Sequence, residues 1–338
     1  MAARIYTDRD ADLKELSHKT CAVIGFGSQG RAHALNLKDS GVNVVVGLYR
    51  GSKSRAVARR AGLRVLDTAE AARRGDVLFL ALPDTKIPQI FEREIAPNLR
   101  QNQTILFAHG FAILYRTIRP AKNLDVIMVA PLGLGRMVRR EFENGGGVPA
   151  LIAVHQDFTG RAKQTALAWA KAIGATRAGV IQSTFREETE TDLFSEQAVL
   201  CGGMSALVRS SFETLVDAGY GPEIAYFECL HELKFIVDLM HERGLAGMRE
   251  LISETALWGE LTVGPKIINR RVKQQMAAAL RKIQSGEFAR GLLREMDDGR
   301  RCLKTLLLRA NSHSIETTGA RLRERMTWKK RHQKKTRA

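Results

Sequence analysis

Between residues 19 and 155 short apolar runs alternate with amphipathic stretches. The runs lie at 21–25, 42–48, 77–82, 104–108, 126–130 and 150–154, and Val, Ile and Leu dominate them. Runs this short and this apolar fit strands buried on both faces, whereas 31–40, 54–61 and 87–95 carry the wider spacing of helices. Strands alternating with helices predict a parallel sheet covered on both sides. After about residue 183 the pattern changes. Segments 192–215, 222–242 and 271–283 have helix-length apolar periodicity and no strand signal, with Gly219, Gly244, Gly259 and Gly264 as punctuation. The pattern therefore predicts an α/β domain over 1–183, a junction near 177–184, an all-α domain over 184–328 and a basic tail over 329–338.

The first apolar run leads into Gly25-Phe26-Gly27-Ser28-Gln29-Gly30 and then into a helical stretch. In this GxGxxG, Gly25 permits a tight turn and Gly27 lets a pyrophosphate approach the backbone. Gly30 lets helix and strand pack closely, and the helix N-terminus offers N–H donors. Strand, loop, helix and next strand follow in order, which makes the α/β half a Rossmann domain for a dinucleotide. The next strand ends in Gly47-Leu48-Tyr49-Arg50-Gly51-Ser52-Lys53-Ser54-Arg55, with three bases and no acid. Such a turn suits a ribose 2′-phosphate, so NADPH is the expected cofactor.

Composition narrows the class. The 338 residues are 44% hydrophobic and 26% charged, as expected of a soluble globular chain with two ordinary domains. No apolar run reaches the roughly 18 residues of a membrane span, and the first residues lack the apolar core of a signal peptide. Cys21, Cys201, Cys229 and Cys302 stand far apart with no CxxC, which fits a reducing cytoplasm. The net charge is +17, and the last ten residues hold six Lys or Arg and no acid. A solvated tail is the plain reading of that run. No zinc-finger spacing, aromatic RNA-binding motif or heptad zipper accompanies it, so a nucleic-acid partner is not expected.

Two carboxylate pairs stand out. Asp192 and Glu196 are four residues apart, as are Glu228 and Glu232, so each pair shares a helix face. Such pairs commonly mark a solvated face. The second pair, however, sits among strongly apolar neighbours, where like charges need a compensating cation such as Mg²⁺. Four convergent carboxylates could hold two ions.

The strings GFGSQGRAHALNLKDSGVNVVVGL, FAHGF, RAGVIQSTFREETETDLFSEQAVLCGG and AGYGPEIAYFECLHELKFIVDLM closely resemble ketol-acid reductoisomerases of the short, class I type, from about residue 10 to Trp328. The resemblance implies a Rossmann domain followed by a knotted helical domain that forms a dimer core with shared active sites. It implies two Mg²⁺ ions, NADPH, and conversion of acetohydroxyacids such as 2-acetolactate or 2-aceto-2-hydroxybutyrate to 2,3-dihydroxy acids in valine and isoleucine biosynthesis. By position, Asp192 and Glu196 match one subunit's metal ligands, and Glu228 and Glu232 those reaching across from the other. Ser253 matches the serine that holds the substrate carboxylate, and His109 the active-site histidine. Phe26, Gly27, Ser28, Gln29, Tyr49, Ser52, Ser54, Asp84 to Ile87 and Gly135 match cofactor-contact positions.

The chain also departs from the family pattern. APKGPGH reads Ala130-Pro131-Leu132-Gly133-Leu134-Gly135-Arg136, so Leu132 stands where a lysine is expected near metals and substrate. Ala112-Ile113-Leu114 follows FAHGF in place of Asn-Ile-His, Arg31 replaces a histidine, and Leu251 a serine. Tyr49 replaces the usual arginine of the phosphate turn, with Arg50 beside it. Besides the full reductoisomerase, two alternatives stay open at this point. One is an NADPH reductase of another 2-keto acid with little isomerase activity, the other a non-catalytic paralogue.

Overall fold

The computed structural model describes residues 4–326. It divides into two compact units, Met1–Asp192 and Leu193–Ala338. The basic tail expected at 329–338 lies outside the described residues.

The first unit is built on one sheet. Its strands are β1 (Ile5–Tyr6), β2 (Thr20–Ile24), β3 (Asn43–Gly47), β4 (Arg64–Leu66), β5 (Val77–Leu80), β6 (Thr104–Phe107), β7 (Asp125–Pro131), β8 (Ala150–Gln156) and β9 (Val180–Gln182). Between them run α1 (Ser28–Asp39), α2 (Ser54–Arg60), α3 (Thr68–Arg74), α4 (Ile87–Ile90), α5 (Phe111–Leu114), α6 (Gly135–Glu143) and α7 (Ala162–Ala172), with α8 (Phe185–Ser195) after β9. The strand order is β1-β9-β8-β7-β6-β5-β2-β3-β4. Successive residues alternate between two apolar clusters: Val23, Phe79 and Leu106 belong to one, Ile24, Leu80 and Phe107 to the other. That alternation is why the strands read as unbroken apolar runs.

The sheet is parallel from β4 through β7, but β8 runs antiparallel to β7. Pro131 pairs with Ala150, so the α6 excursion returns the chain to the end it left, which reverses the next strand. The 177–184 segment read as a junction contains β9, which pairs with β8 and with the short β1. Inside the α1–α7 side of the sheet, His33 stacks on Phe79 at 4.5 Å and accepts from Trp169 Nε1 at 3.1 Å. Burial pushes its pKa down to about 3, so His33 is a neutral core residue.

The second unit is helical: α9 (Gly202–Asp217), α10 (Pro222–Tyr226), α11 (Leu233–Arg249), α12 (Glu254–Ile267), α13 (Arg270–Gln284), α14 (Glu287–Asp297), α15 (Arg301–Asn311) and α16 (Ser314–Arg325). Wide π-type turns occupy Glu196–Leu200 and Phe227–His231. A Cβ on Gly202 or Gly203 would lie 2.3 Å from Gln197 O or 2.0 Å from Ala198 O, so the first wide turn requires the glycine pair behind it. Gly219 closes α9 and Gly244 kinks α11 at φ +70°, but Gly259 and Gly264 lie inside α12 and break nothing. The core here is small, centred on Val208, Phe212, Ala225, Tyr226 and Ile315. Large apolar side chains stay outside it, with Trp258 73% and Leu308 72% exposed. No helix among the described residues is long and apolar enough to cross a membrane.

Candidate active site

β2 lies between β3 and β5, so the chain order reverses at its carboxyl end, where open α/β sheets place ligands. The glycine loop occupies that point. Gly25 has φ +103°, and a Cβ on it would lie 2.3 Å from Ala81 O; one on Gly30 would lie 2.6 Å from Gly25 O. A Cβ on Gly27 would meet nothing within 4 Å. Two glycines are thus demanded by the protein's own packing, while the third faces open space at the N-terminus of α1. Phe26 is a core residue, so only its backbone is left for a ligand. Gln29 donates through Nε2 to Gly133 O at 2.8 Å, while its buried Oε1 has no partner. Gly135 is held by packing as well, since a Cβ there would come 2.1 Å from Ser28 O. The loop after β7 is therefore pinned to the glycine loop, with Leu132 and Leu134 exposed upon it.

The turn after β3 exposes Tyr49 and Arg50 and half-buries Ser52 and Ser54. Two of its bases already have a partner. Arg50 Nε donates to Asp67 Oδ2 at 2.9 Å, and Arg55 Nη1 donates to Asp67 Oδ1 at 2.9 Å and to Leu48 O at 2.6 Å. Both arginines hold the Asp67 carboxyl below the usual range.

Two strands from β2, the end of β6 carries His109 against α8. His109 Nδ1 lies 2.9 Å from Glu188 Oε1 and 3.3 Å from Asp192 Oδ2. Gly110 N–H donates to Glu188 Oε2 at 2.8 Å, so Glu188 grips loop and imidazole together. Burial opposes charging of His109, but the Glu188 hydrogen bond and the charges of Glu188, Asp84 and Asp192 outweigh it and raise its pKa to about 9. Among the described residues, His109, Glu188 and Asp192 form a group of possible metal ligands with atoms within 4.8 Å of one another. A protonated imidazole has no lone pair to give, and a hard cation prefers oxygen. Of this group, the carboxylate oxygens rather than the imidazole suit a hard cation, and Glu188 is already engaged by His109 and Gly110, which leaves Asp192 as the better candidate.

The other expected acids sit differently. Glu196 starts the first wide turn, Glu228 lies within the second and Glu232 directly follows it. All three are exposed, so the apolar stretch around Glu228 and Glu232 does not bury them in a single chain. Ala225 and Tyr226 of that stretch do reach the core, but Phe227 and Phe235 are on the surface, Phe235 being 52% exposed. Ser253 caps α12, its Oγ accepting from Ala256 N–H at 3.2 Å.

Two family models match, the acetohydroxy acid isomeroreductase NADPH-binding domain over residues 15–179 and the ketol-acid reductoisomerase C-terminal domain over 185–328. The chain belongs to the ketol-acid reductoisomerase family. A solved NADH-preferring ketol-acid reductoisomerase from an uncultured archean is 45% identical, with a TM-score of 0.92, covering 95% of this chain and 98% of the other. A semialdehyde dehydrogenase NAD-binding protein from Cupriavidus necator is 21% identical, covers 78% of this chain and 99% of its own, and has a TM-score of 0.57, a likeness of fold. Within the family frame, Glu188 is the residue that sequence reading missed. Its signal was present: Glu188, Asp192 and Glu196 repeat every four residues along one helical run.

Proposed function

We propose that this chain is an NADPH- and Mg²⁺-dependent ketol-acid reductoisomerase that converts 2-acetolactate and 2-aceto-2-hydroxybutyrate to 2,3-dihydroxy acids. The observation that carries this reading is the His109–Glu188–Asp192 cluster, set at the same edge of the sheet as the glycine loop. The dinucleotide fits that loop: Gly27 leaves room for a pyrophosphate, and the unpartnered Gln29 Oε1 is ready to accept a hydrogen bond. The absence of an acid at the end of β3, with Arg50, Ser52 and Ser54 there instead, favours the 2′-phosphorylated cofactor. The similar archean enzyme is NADH-preferring, and that makes cofactor choice the first property to measure.

The donor set suits hard divalent cations. Asp192 and Glu196 would serve one subunit, with Glu228 and Glu232 supplied by a second copy. When bound, Mg²⁺ supplies Lewis-acid stabilisation of the developing oxyanion and NADPH supplies the hydride. Glu188 acts through His109: paired with the imidazole at 2.9 Å, it orients the ring beside Asp192 and favours its protonated form at the reacting edge. Ser253 Oγ accepts from the helix backbone, so its own O–H remains to donate to a substrate carboxylate. Leu132 offers neither charge nor hydrogen bond, so the proton handling expected of a lysine there falls to other groups or to water.

A second copy is the partner that the exposed apolar surface of the helical unit favours. A homodimer or higher homo-oligomer follows from this reading, and the scattered cysteines without a CxxC favour the cytoplasm. The test is oxidation of NADPH with 2-acetolactate and Mg²⁺. Turnover that vanishes in EDTA and in Glu228→Gln supports the proposal, and turnover indifferent to both contradicts it.

A further inference from the structure

The N-terminal residue of α3 is unusual. Asp67 occupies the N-cap position, where an aspartate ordinarily accepts from the first backbone N–H groups, yet its side chain makes no capping bond. Both carboxylate oxygens are turned instead toward the β3–α2 turn, one to Arg50 Nε and one to Arg55 Nη1, each at 2.9 Å. The strands bring it there: β3 and β4 pair with Gly47 opposite Leu66, and Leu48 N–H donates to Leu66 O at 3.1 Å. The two arginines are not equivalent. The Arg55 side chain is 19% exposed and shared with the Leu48 carbonyl, so it belongs to the scaffold. The Arg50 side chain is 91% exposed and tied to Asp67, so it can change partner.

We infer that Asp67 is a specificity-determining residue for the cofactor's ribose. It withholds Arg50 from a 2′-phosphate and adds a negative charge beside the place where that dianion would bind. Asp67 therefore lowers the preference for a 2′-phosphorylated dinucleotide below what the basic sequence of the turn alone would give. A 2′-phosphate must displace Asp67 from Arg50, whereas a 2′-hydroxyl leaves the pair in place. The low pKa of the Asp67 carboxyl keeps it charged across the working pH range.

This inference rests on the dinucleotide reading above, and the test separates the two. Adenosine 2′,5′-bisphosphate and 5′-AMP differ only in the 2′-phosphate, and their binding to the full chain by calorimetry needs no turnover. Asp67→Asn should tighten the bisphosphate about three- to tenfold at low salt while AMP is unchanged, with the gain shrinking at high salt. Arg50→Gln, a change on an exposed side chain, should weaken the bisphosphate by a similar factor and remove most of the effect of Asp67→Asn when the two are combined. Bisphosphate affinity that ignores Asp67→Asn, or a gain equal for both ligands, overturns the role of Asp67. An unmodified chain that binds neither ligand overturns the dinucleotide reading itself, and this inference with it. If the unmodified chain binds both equally and Asp67→Asn creates a bisphosphate preference, the inference stands and the NADPH preference falls.

Discussion

Alanine at each of the three loop glycines should separate what the fold needs from what the cofactor needs. Gly25→Ala places an L residue at φ +103° with its Cβ 2.3 Å from a carbonyl oxygen, so strain and overpacking together should cost about 3–5 kcal/mol. At about 2–4 °C per kcal/mol for a unit of this size, the melting temperature should fall by roughly 6–20 °C. Gly30→Ala meets Gly25 O at 2.6 Å and Ala81 Cβ at 2.9 Å and should cost about 1–3 kcal/mol. Gly27→Ala is different. Its φ of −78° and ψ of −158° suit alanine and no atom lies within 4 Å, so the cost should be under about 1 kcal/mol. The new methyl would nonetheless stand where a pyrophosphate must approach the α1 N-terminus. It should weaken NADPH and NADH alike by at least about tenfold, or about 1.4 kcal/mol. Thermal unfolding without cofactor and fluorescence titration with it give the two numbers. Unaltered affinity in Gly27→Ala, or a melting loss equal to that of Gly25→Ala, would refute the assignment of Gly27 to the cofactor.

Three further perturbations bear on other parts of the account. In EDTA, Glu188→Gln should lower the His109 pKa by at least about one unit, read by NMR. Because the folded pKa of His109 is raised to about 9, its contribution is full below the unfolded value near 6.5 and is lost as pH rises through 9. The pH-dependent part of the stability gap between variant and parent should shrink from as much as about 3 kcal/mol at pH 6 to near zero at pH 10, and a gap independent of pH contradicts the charge assignment. Leu132→Lys should raise turnover of 2-acetolactate more than turnover of the already migrated 3-hydroxy-2-keto acid; an equal effect on both would place the missing lysine outside the migration step. Trp258→Glu puts a charge on a side chain 73% exposed in the single chain and should shift the sedimentation coefficient toward a monomer, whereas an unchanged oligomer excludes this surface from the interface.

Much of the first unit was legible because its strands are buried on both faces and announce themselves as apolar runs. The strands that escaped reading are the short ones. Arg64–Leu66 and Val180–Gln182 are three residues each, too short for a period, and Ile5–Tyr6 exists only because β9 pairs with it. The strand at 150–154 was legible but its antiparallel direction was not, since that direction follows from where α6 returns the chain and not from composition. Glycines misled in one place: Gly259 and Gly264 sit inside a helix, because open space around them imposes no break. At the site, residue type and spacing pointed to Asp192; the same four-residue spacing takes in Glu188, but its role depends on the β6 loop coming to rest on α8. The basic turn was read by charge alone. Asp67 is twelve residues beyond Arg55 and becomes its neighbour only through the pairing of β3 with β4.

The central claim is that this site still couples migration to reduction although Leu132 stands in the lysine position. The most direct measurement is a paired steady-state assay with NADPH and Mg²⁺, using 2-acetolactate in one arm and the migrated 3-hydroxy-2-keto acid in the other. The account predicts turnover of both, with the same 2,3-dihydroxy acid as product. Turnover of the migrated acid alone would contradict it and leave a reductase that has lost the isomerase step.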